Sequence, residues 1–393
     1  MNVMDRKLSF YTFRGSEGFI LLPYINLFML LHNLDLAKGS SKNVVFCEAT
    51  MERDKRSLEK VRVSSGSAMV LDLIEGLLDA KPTTAYLLTY TEGKCTANCG
   101  FCSQAKRSKS RADMLSRVAW PVFKTKEVVS KLATAVQKQE IKRVCIQALN
   151  YPAVVEDLLA LVEAIKLHRI EVPISISCQP LNKEDMKKMA KMGVERMGIP
   201  LDAVTKDVFD RVKGRSANGP YDWDKQHVAL LEAVKVFGET NVSTHLMVGL
   251  GEIEEEMVKA IQWCVDNSIY PALFSFTPIP GTALEYKSSP TINCYRRIQL
   301  ARYLIVHGKT RFEKIAFNGR GCIIDFGVSQ EHLERTIRNG TPFLTSGCPH
   351  CNRPYYNEKP RGPLYNFPIQ PTPQDVEEIE KQLKYDSQSW PKT

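Results

Sequence analysis

Between residues 85 and 307, short β-branched runs alternate with longer amphipathic runs, and nothing else in the chain constrains its fold as much. The strand candidates are 85–90, 143–149, 173–178, 196–201, 242–248 and 273–279. Apolar residues at helical spacing fill 126–139, 154–168, 182–192, 223–238, 254–268 and 292–307. Strands alternating with helices imply parallel βαβ units, hence an α/β fold. Six such units suit a partial TIM-type (βα) barrel, whose working face lies at the C-terminal ends of its strands. Periodicity alone fits a doubly wound parallel sheet equally well. Outside this core the chain divides into an extension over 1–50, a helical segment over 51–84 with apolar helical spacing at 66–79, and a C-terminal extension over 308–393. In the last, 312–326 reads as two short strands around the turn Asn318–Gly321, 330–338 as a short helix and 373–384 as a charged surface helix.

Directly after the first strand candidate comes Cys95-Thr-Ala-Asn-Cys-Gly-Phe-Cys102. Gaps of three and then two residues let Cys95, Cys99 and Cys102 converge on one small cluster from a single loop. A 4Fe–4S cube takes four ligands, so three thiolates leave one iron open for a non-protein ligand. Half of a zinc site is the competing reading, but zinc knuckles pair two such units and no partner pair lies near Cys95.

Other bulk properties exclude more than they assign. Among 393 residues, 44% are hydrophobic and 25% charged, ordinary for a globular chain. The net charge of +9 comes from basic residues interspersed with acidic ones, so nucleic-acid binding is not called for and an acidic protein partner suits equally well. Clustered cysteines in a chain this long read as metal chemistry in a reducing, cytoplasmic compartment rather than as a disulfide scaffold. The apolar run 19–31 is too short for a membrane span and is interrupted by Pro23 and Asn26. No small-x-small cleavage site follows it. Residues 1–50 read as an unrelated extension, with Met51 a candidate start.

A second cysteine pair, Cys348-Pro-His-Cys351, sits in a tail rich in Pro and aromatics. Three readings are open: a structural zinc half-site, a redox dithiol, and part of a second iron–sulfur cluster. Cys322 is the nearest cysteine in sequence and the best third ligand, with His350 and Ser346 weaker. Cys47, Cys178, Cys264 and Cys294 read as small buried hydrophobes.

The cysteine loop, with Phe101 inside it and a strand before it, resembles the signature of the radical S-adenosylmethionine (SAM) enzymes. That resemblance decides for the partial barrel. It implies a cluster whose open iron chelates SAM and whose electron splits SAM into methionine and a 5′-deoxyadenosyl radical. The stretch 51–368 is similar to the biotin and lipoyl synthase branch. Thr244–Glu252 resembles that branch's glycine-containing fifth strand, and Ile199–Asp202 its fourth-strand segment. By likeness, Phe101 and the Val248–Gly249 backbone flank the adenine, Gly251 belongs to the same turn, and Asp202 lies near the ribose or the substrate. Biotin synthase also holds a sulfur donor on barrel-strand cysteines. Only Cys145 matches such a position here, the fifth-strand counterpart being Ser243, so Cys145 reads as a core residue. The Cys-Pro-x-Cys-Asn-Arg-Pro-Tyr-Tyr-Asn tail is similar to the two-component lipoyl synthase known mainly from archaea.

That group implies sulfur insertion into an octanoyl chain on a lipoyl domain or glycine-cleavage H protein. It also implies a homologous second radical SAM subunit, a ferredoxin-like electron donor and an auxiliary iron–sulfur cluster on Cys348 and Cys351. The aromatics Tyr355, Tyr356, Tyr365 and Phe367 could then form a lid over the barrel mouth. Alternatives are a biotin synthase-like enzyme acting on a small substrate, a radical SAM enzyme of other chemistry with a structural tail cluster, and a scaffold that cleaves no SAM.

Overall fold

A computed structural model describes residues 10–15, 18–23, 58–358 and 362–384. The chain divides into two units, 1–54 and 55–393. The first contains an antiparallel hairpin of β1 (Phe10–Gly15) and β2 (Gly18–Pro23), in register from Phe10↔Pro23 to Gly15↔Gly18. The rest of the apolar run 19–31, Cys47 and Met51 lie outside the described residues.

The second unit is built on one sheet. Its antiparallel margin is β3 (Lys60–Val63), which pairs with β4 (Thr84–Thr89) on one side and β7 (Val122–Lys124) on the other. Between β4 and β7 lies a small hairpin, β5 (Met114–Leu115) and β6 (Val118–Ala119). From β4 the sheet continues in parallel through β8 (Arg143–Gln147), β9 (Ile174–Ser177), β10 (Val194–Gly198), β11 (Val242–Val248) and β12 (Ile269–Ser275). Six βα strands thus stand in sequential order, and among the described residues no ladder joins β12 back to β4. This is the expected partial barrel.

The strand period of two explains why these runs are buried on both faces. Ala85 and Leu87 of β4 pack into the main core with Val128, Leu132 and Leu158, while Tyr86 and Leu88 point to the other face with Trp120, Leu149 and Tyr151. In the same way Val144 and Ile146 of β8 are core residues, whereas Cys145 and Gln147 line an internal cavity. The last strand starts four residues earlier than its sequence candidate and contains Pro271. It is an edge strand, where proline's missing N–H removes no ladder bond.

Helices cover the outer face. They are α1 (Ser65–Val70), α2 (Thr125–Gln137), α3 (Val154–Leu167), α4 (Lys183–Lys191), α5 (Lys206–Val212), α6 (Trp223–Phe237), α7 (Glu254–Asp266) and α8 (Ile292–Val306). Polar caps start several of them, the side chains of Asn182, Thr205, Asp222 and Thr291 each accepting a first-turn N–H. The helical expectation for 66–79 is corrected: α1 stops at Val70, because Asp72 adopts the left-handed conformation and Leu77 is fully exposed. The segment before it also supplies a strand, β3, so 51–84 is not simply helical.

Beyond α8 come β13 (Ala316–Phe317) and β14 (Ile323–Asp325), α9 (Gln330–Asn339) and α10 (Pro373–Lys384). The tail between α9 and α10 is pinned by α8. The buried Arg296 guanidinium lies over the rings of Phe343 and Phe367 and donates to the carbonyls of Tyr365 (2.7 Å) and Leu364 (2.5 Å). We expect Arg296→Leu to cost about 3 kcal/mol, the upper range for hydrogen bonds to a charged group. It should also speed protease cleavage within 344–372; an unchanged cleavage rate would contradict this anchoring. No helix of the described residues is long and apolar enough to cross a membrane.

Candidate active site

The triad loop follows the C-terminal end of β4 and is held by its own backbone and by its neighbours. The Cys95 N–H donates to the Gln104 carbonyl (3.0 Å), Cys102 N–H to Cys99 (3.0 Å), and Gly100 N–H to Val212 (2.7 Å). Lys94 closes the loop from within, its ammonium donating to the carbonyls of Ser103, Ser108 and Ser110 at 2.7–2.9 Å. The Asn150 N–H donates to Cys95 Sγ at 3.1 Å. All three sulfur-bearing residues line one cavity of about 220 Å³, together with Phe101 and Asp202. Burial raises each thiol, Cys102 to about 12, so these groups become thiolates only against a cation. Three thiols on one tight loop, Cys99 buried and Cys95 and Cys102 half-buried, are the donor set an iron–sulfur cluster needs, and the residues fit it.

Asp202 takes a left-handed backbone (φ +65°) and spans to β11, its N–H on the His245 carbonyl and its carbonyl on the Met247 N–H, both 2.7 Å. Its carboxylate does not cap a helix; Thr205 caps α5. It pairs instead with Lys213 at 2.8 Å, and Lys213 is fully buried. The same ammonium donates to the Pro200 carbonyl (2.8 Å) and lies 4.9 Å above the Tyr221 ring.

Val248, Gly249 and Gly251 line a neighbouring hollow of about 290 Å³, with Glu252, Pro290 and Cys294, rather than the cavity itself. The N–H groups of Gly249, Leu250 and Gly251 all donate to the Glu252 carboxylate (2.6–3.0 Å). Gly249 needs its missing side chain: φ is +105° and an added Cβ would stand 2.8 Å from Pro290 Cδ.

Of its four aromatics that could form a lid, the tail brings Tyr356 to the cavity lining, and not Tyr355, Tyr365 or Phe367. It runs alongside the open edge between β12 and β4. His350's carbonyl accepts from the hydroxyls of Thr83 and Thr84 (2.7 and 2.8 Å), at the start of β4. Pro349's carbonyl accepts from Arg143, the first residue of β8 (2.9 Å). On the other side, Ser346 Oγ accepts the Leu273 N–H (2.8 Å) and Asn357 spans Ser275 and Thr277. Cys348 and Cys351 therefore reach the cavity from the N-terminal side of the strands, opposite the triad loop. Tyr356 lies between the two thiol groups, close enough to Cys102 and to Cys145 for both to bear on its ionisation.

The third-ligand expectation needs correction. Cys322 sits on the β13–β14 turn, backbone-bonded to Asn318 and adjacent to Ile323, whose N–H is held by Glu254; it does not line the cavity. Proximity in sequence to Cys348 does not survive folding, because the hairpin packs on α7. His350 is exposed and Ser346 is occupied by backbone. Besides the triad, two more thiols share the cavity with the pair, Cys145 and Cys178, both of which the sequence reading placed in the core; Cys178 is buried against Met197, its Sγ 3.7 Å from the Met197 sulfur.

Two more cavity residues were missed. Arg353 lies 3.7 Å over the Phe274 ring, beside Cys351, and its buried Nε has no partner among the described residues. His245, on the inward register of β11, stacks on Phe274 at 4.6 Å. The sequence signal for His245 was strand alternation, and for Arg353 its place two residues after Cys351 in the tail motif. Burial lowers His245 from the ordinary imidazole value to about 4. Between about 6.5 and 4 the unfolded chain takes up a proton that the folded chain refuses, so this residue makes stability fall as pH drops through that window. His245→Gln should flatten the pH dependence of the denaturation midpoint there; an unchanged slope would show that His245 is protonated in the fold.

A family model described as Radical SAM superfamily matches residues 91–264. The biotin synthase of a Sulfurihydrogenibium species is 24% identical over 317 residues, covering 71% of this chain and 90% of that protein. The biotin synthase of Persephonella marina is 24% identical over 204 residues, 51% of this chain and 56% of its own length. Among solved structures, methylornithine synthase aligns with a TM-score of 0.45 and 16% identity over 62% of this chain and 67% of that one. The family match contains the three-cysteine loop and β8 to β11: residues 91–264 are a radical SAM domain, that of an enzyme family that uses a 4Fe–4S cluster and SAM, and the chain is similar to biotin synthases at low identity.

Proposed function

We propose that this enzyme inserts sulfur into an octanoyl chain carried on a lysine of a lipoyl domain or glycine-cleavage H protein. One observation carries the reading: two groups of thiols, on the triad loop and on the tail, open into one cavity from opposite sides. When bound at Cys95, Cys99 and Cys102, a cluster with SAM supplies a hydrogen-abstracting radical, chemistry that no side chain provides. Cys348 and Cys351 would hold a second cluster, the source of the inserted sulfide.

The chain's own residues position and shield. Lys94 fixes the triad loop, and the Asp202–Lys213 pair fixes the wall next to Cys99. Leu88, Leu149, Phe274 and Tyr356 make much of the lining apolar, which excludes water from a reactive carbon and favours an alkyl chain over a polar substrate. Holding that carbon between the two thiol groups replaces a chance encounter with a fixed approach. A ferredoxin-like donor would supply the electron, and a homologous second chain the other sulfur. The basic balance of the chain suits an acidic carrier domain.

The test is turnover with SAM and dithionite on octanoylated carrier protein, read by intact mass. A gain of one sulfur on the carrier supports the reading. Sulfur gained by a small free acid and not by the carrier overturns it in favour of a biotin synthase-like reaction. SAM cleavage without sulfur transfer to either overturns it in favour of other radical chemistry.

A further inference from the structure

We propose that Cys145 joins Cys348 and Cys351 as the third thiol of one metal-binding site on the inner wall of the barrel, a site that takes an iron–sulfur cluster. The proposal rests on the preceding reading of the tail pair and completes its ligand set. It stands on strand register. Tyr86 on β4, Cys145 on β8 and Ser175 on β9 are direct partners across two parallel ladders, Tyr86↔Cys145 and Cys145↔Ser175. Such neighbours lie about 4.8 Å apart and project from the same face.

Each flanking residue reaches one thiol of the tail. The Tyr86 hydroxyl accepts the Arg353 backbone N–H at 3.0 Å and stands 3.4 Å from Cys351 Sγ, to which it would be the donor once that sulfur is a thiolate. The Ser175 hydroxyl accepts from Arg143 at 2.8 Å and donates to Cys348 Sγ at 3.6 Å. The two tail sulfurs are therefore tethered to the residues on either side of Cys145, and all three thiols open into the same cavity.

The bland reading, a cysteine serving as a small hydrophobe, fits Cys264, which is wholly buried in the main core. It does not fit Cys145, whose ladder partners on this face are a tyrosine and a serine bonded to sulfur. Two hydroxyls stand on the tail sulfurs, and two guanidinium groups lie close by, Arg143 bonded to the Pro349 carbonyl and to Ser175, Arg353 stacked on Phe274; such surroundings suit thiolates better than thiols. The buried Nε of Arg353, unpartnered among the described residues, is a donor in want of an acceptor at this spot.

The experiment uses the full chain with Cys95, Cys99 and Cys102 replaced by alanine, so that the tail site alone binds metal. After anaerobic reconstitution with iron and sulfide, bound iron, sulfide and zinc are counted. The expected result is about four irons in this background if the cluster is a cube, falling with Cys145→Ala to the level reached with Cys348→Ala/Cys351→Ala. Iron retained with Cys145→Ala but lost from the pair variant overturns the proposal and leaves the pair as ligands. Absence of iron from the background, or zinc in its place, overturns both. Far-UV dichroism of each variant separates ligand loss from unfolding. Tyr86→Phe keeps all three thiols and removes one donor, so it should preserve the iron count and lower the cluster's reduction potential. An unshifted potential would contradict this placement.

Discussion

Replacing Cys95, Cys99 and Cys102 together by alanine is expected to remove the cluster iron at the C-terminal end of the barrel and abolish reductive SAM cleavage, while leaving the iron of the proposed tail cluster. The three thiols are fixed by one loop whose geometry does not depend on the sulfurs. Lys94 spans three carbonyls, Gly100 is tied to Val212, and Lys106 to Ala97. The alanine variant should therefore fold, and the loss should be one of ligation. Changing a residue that merely orients a metal ligand costs about 10–100-fold, so losing three ligands should exceed that range and leave no measurable turnover. Quantifying 5′-deoxyadenosine under dithionite checks it. Residual cleavage within about tenfold of the native chain would place SAM chemistry elsewhere.

The second large effect concerns stability. Lys213 is wholly buried and Asp202 nearly so, and the pair lies 2.8 Å apart beside the triad. Lys213→Met should destabilise the fold by about 3–5 kcal/mol, because it strands an uncompensated carboxylate away from water. That is a large share of the roughly 5–15 kcal/mol that holds a domain folded. Adding Asp202→Asn should recover much of the loss. Asparagine tolerates the left-handed backbone at this position and removes the charge. Denaturant titration of both variants, without metal or SAM, measures the effect. A cost below about 1 kcal/mol for Lys213→Met would match an exposed, screened pair instead.

The barrel was readable in the sequence because β-branched runs and amphipathic runs carry different periods, and each period reports the geometry of its own element. Five of the six strand candidates overlap the observed strands closely; the sixth was displaced because Pro271 disguises the start of an edge strand. The margin strands β3 and β7, of four and three residues, are too short to leave a periodic trace. The triad was legible because all its members lie on one loop. The tail site was only half legible. Its CxxC pair is local, but Cys145 meets it through a contact spanning more than half the chain, and a lone cysteine on a strand resembles packing. Cys322 misled for the converse reason: a turn that packs on α7 carries it away from the cysteines nearest in sequence. Strand alternation was the usable clue, since the inward register of β8 offers Cys145 and Gln147 to the cavity that the tail enters.

The origin of the product's sulfur tests the central claim most directly. The enzyme would be reconstituted with iron and isotopically heavy sulfide, freed of excess sulfide, and turned over once on octanoylated carrier protein with SAM and a reductant. The account expects heavy sulfur on the carrier, at no more than one insertion per enzyme chain, with sulfide and iron lost from the site of Cys348 and Cys351. SAM cleavage with a sulfur-free carrier, or with the tail's sulfide fully retained, would contradict it.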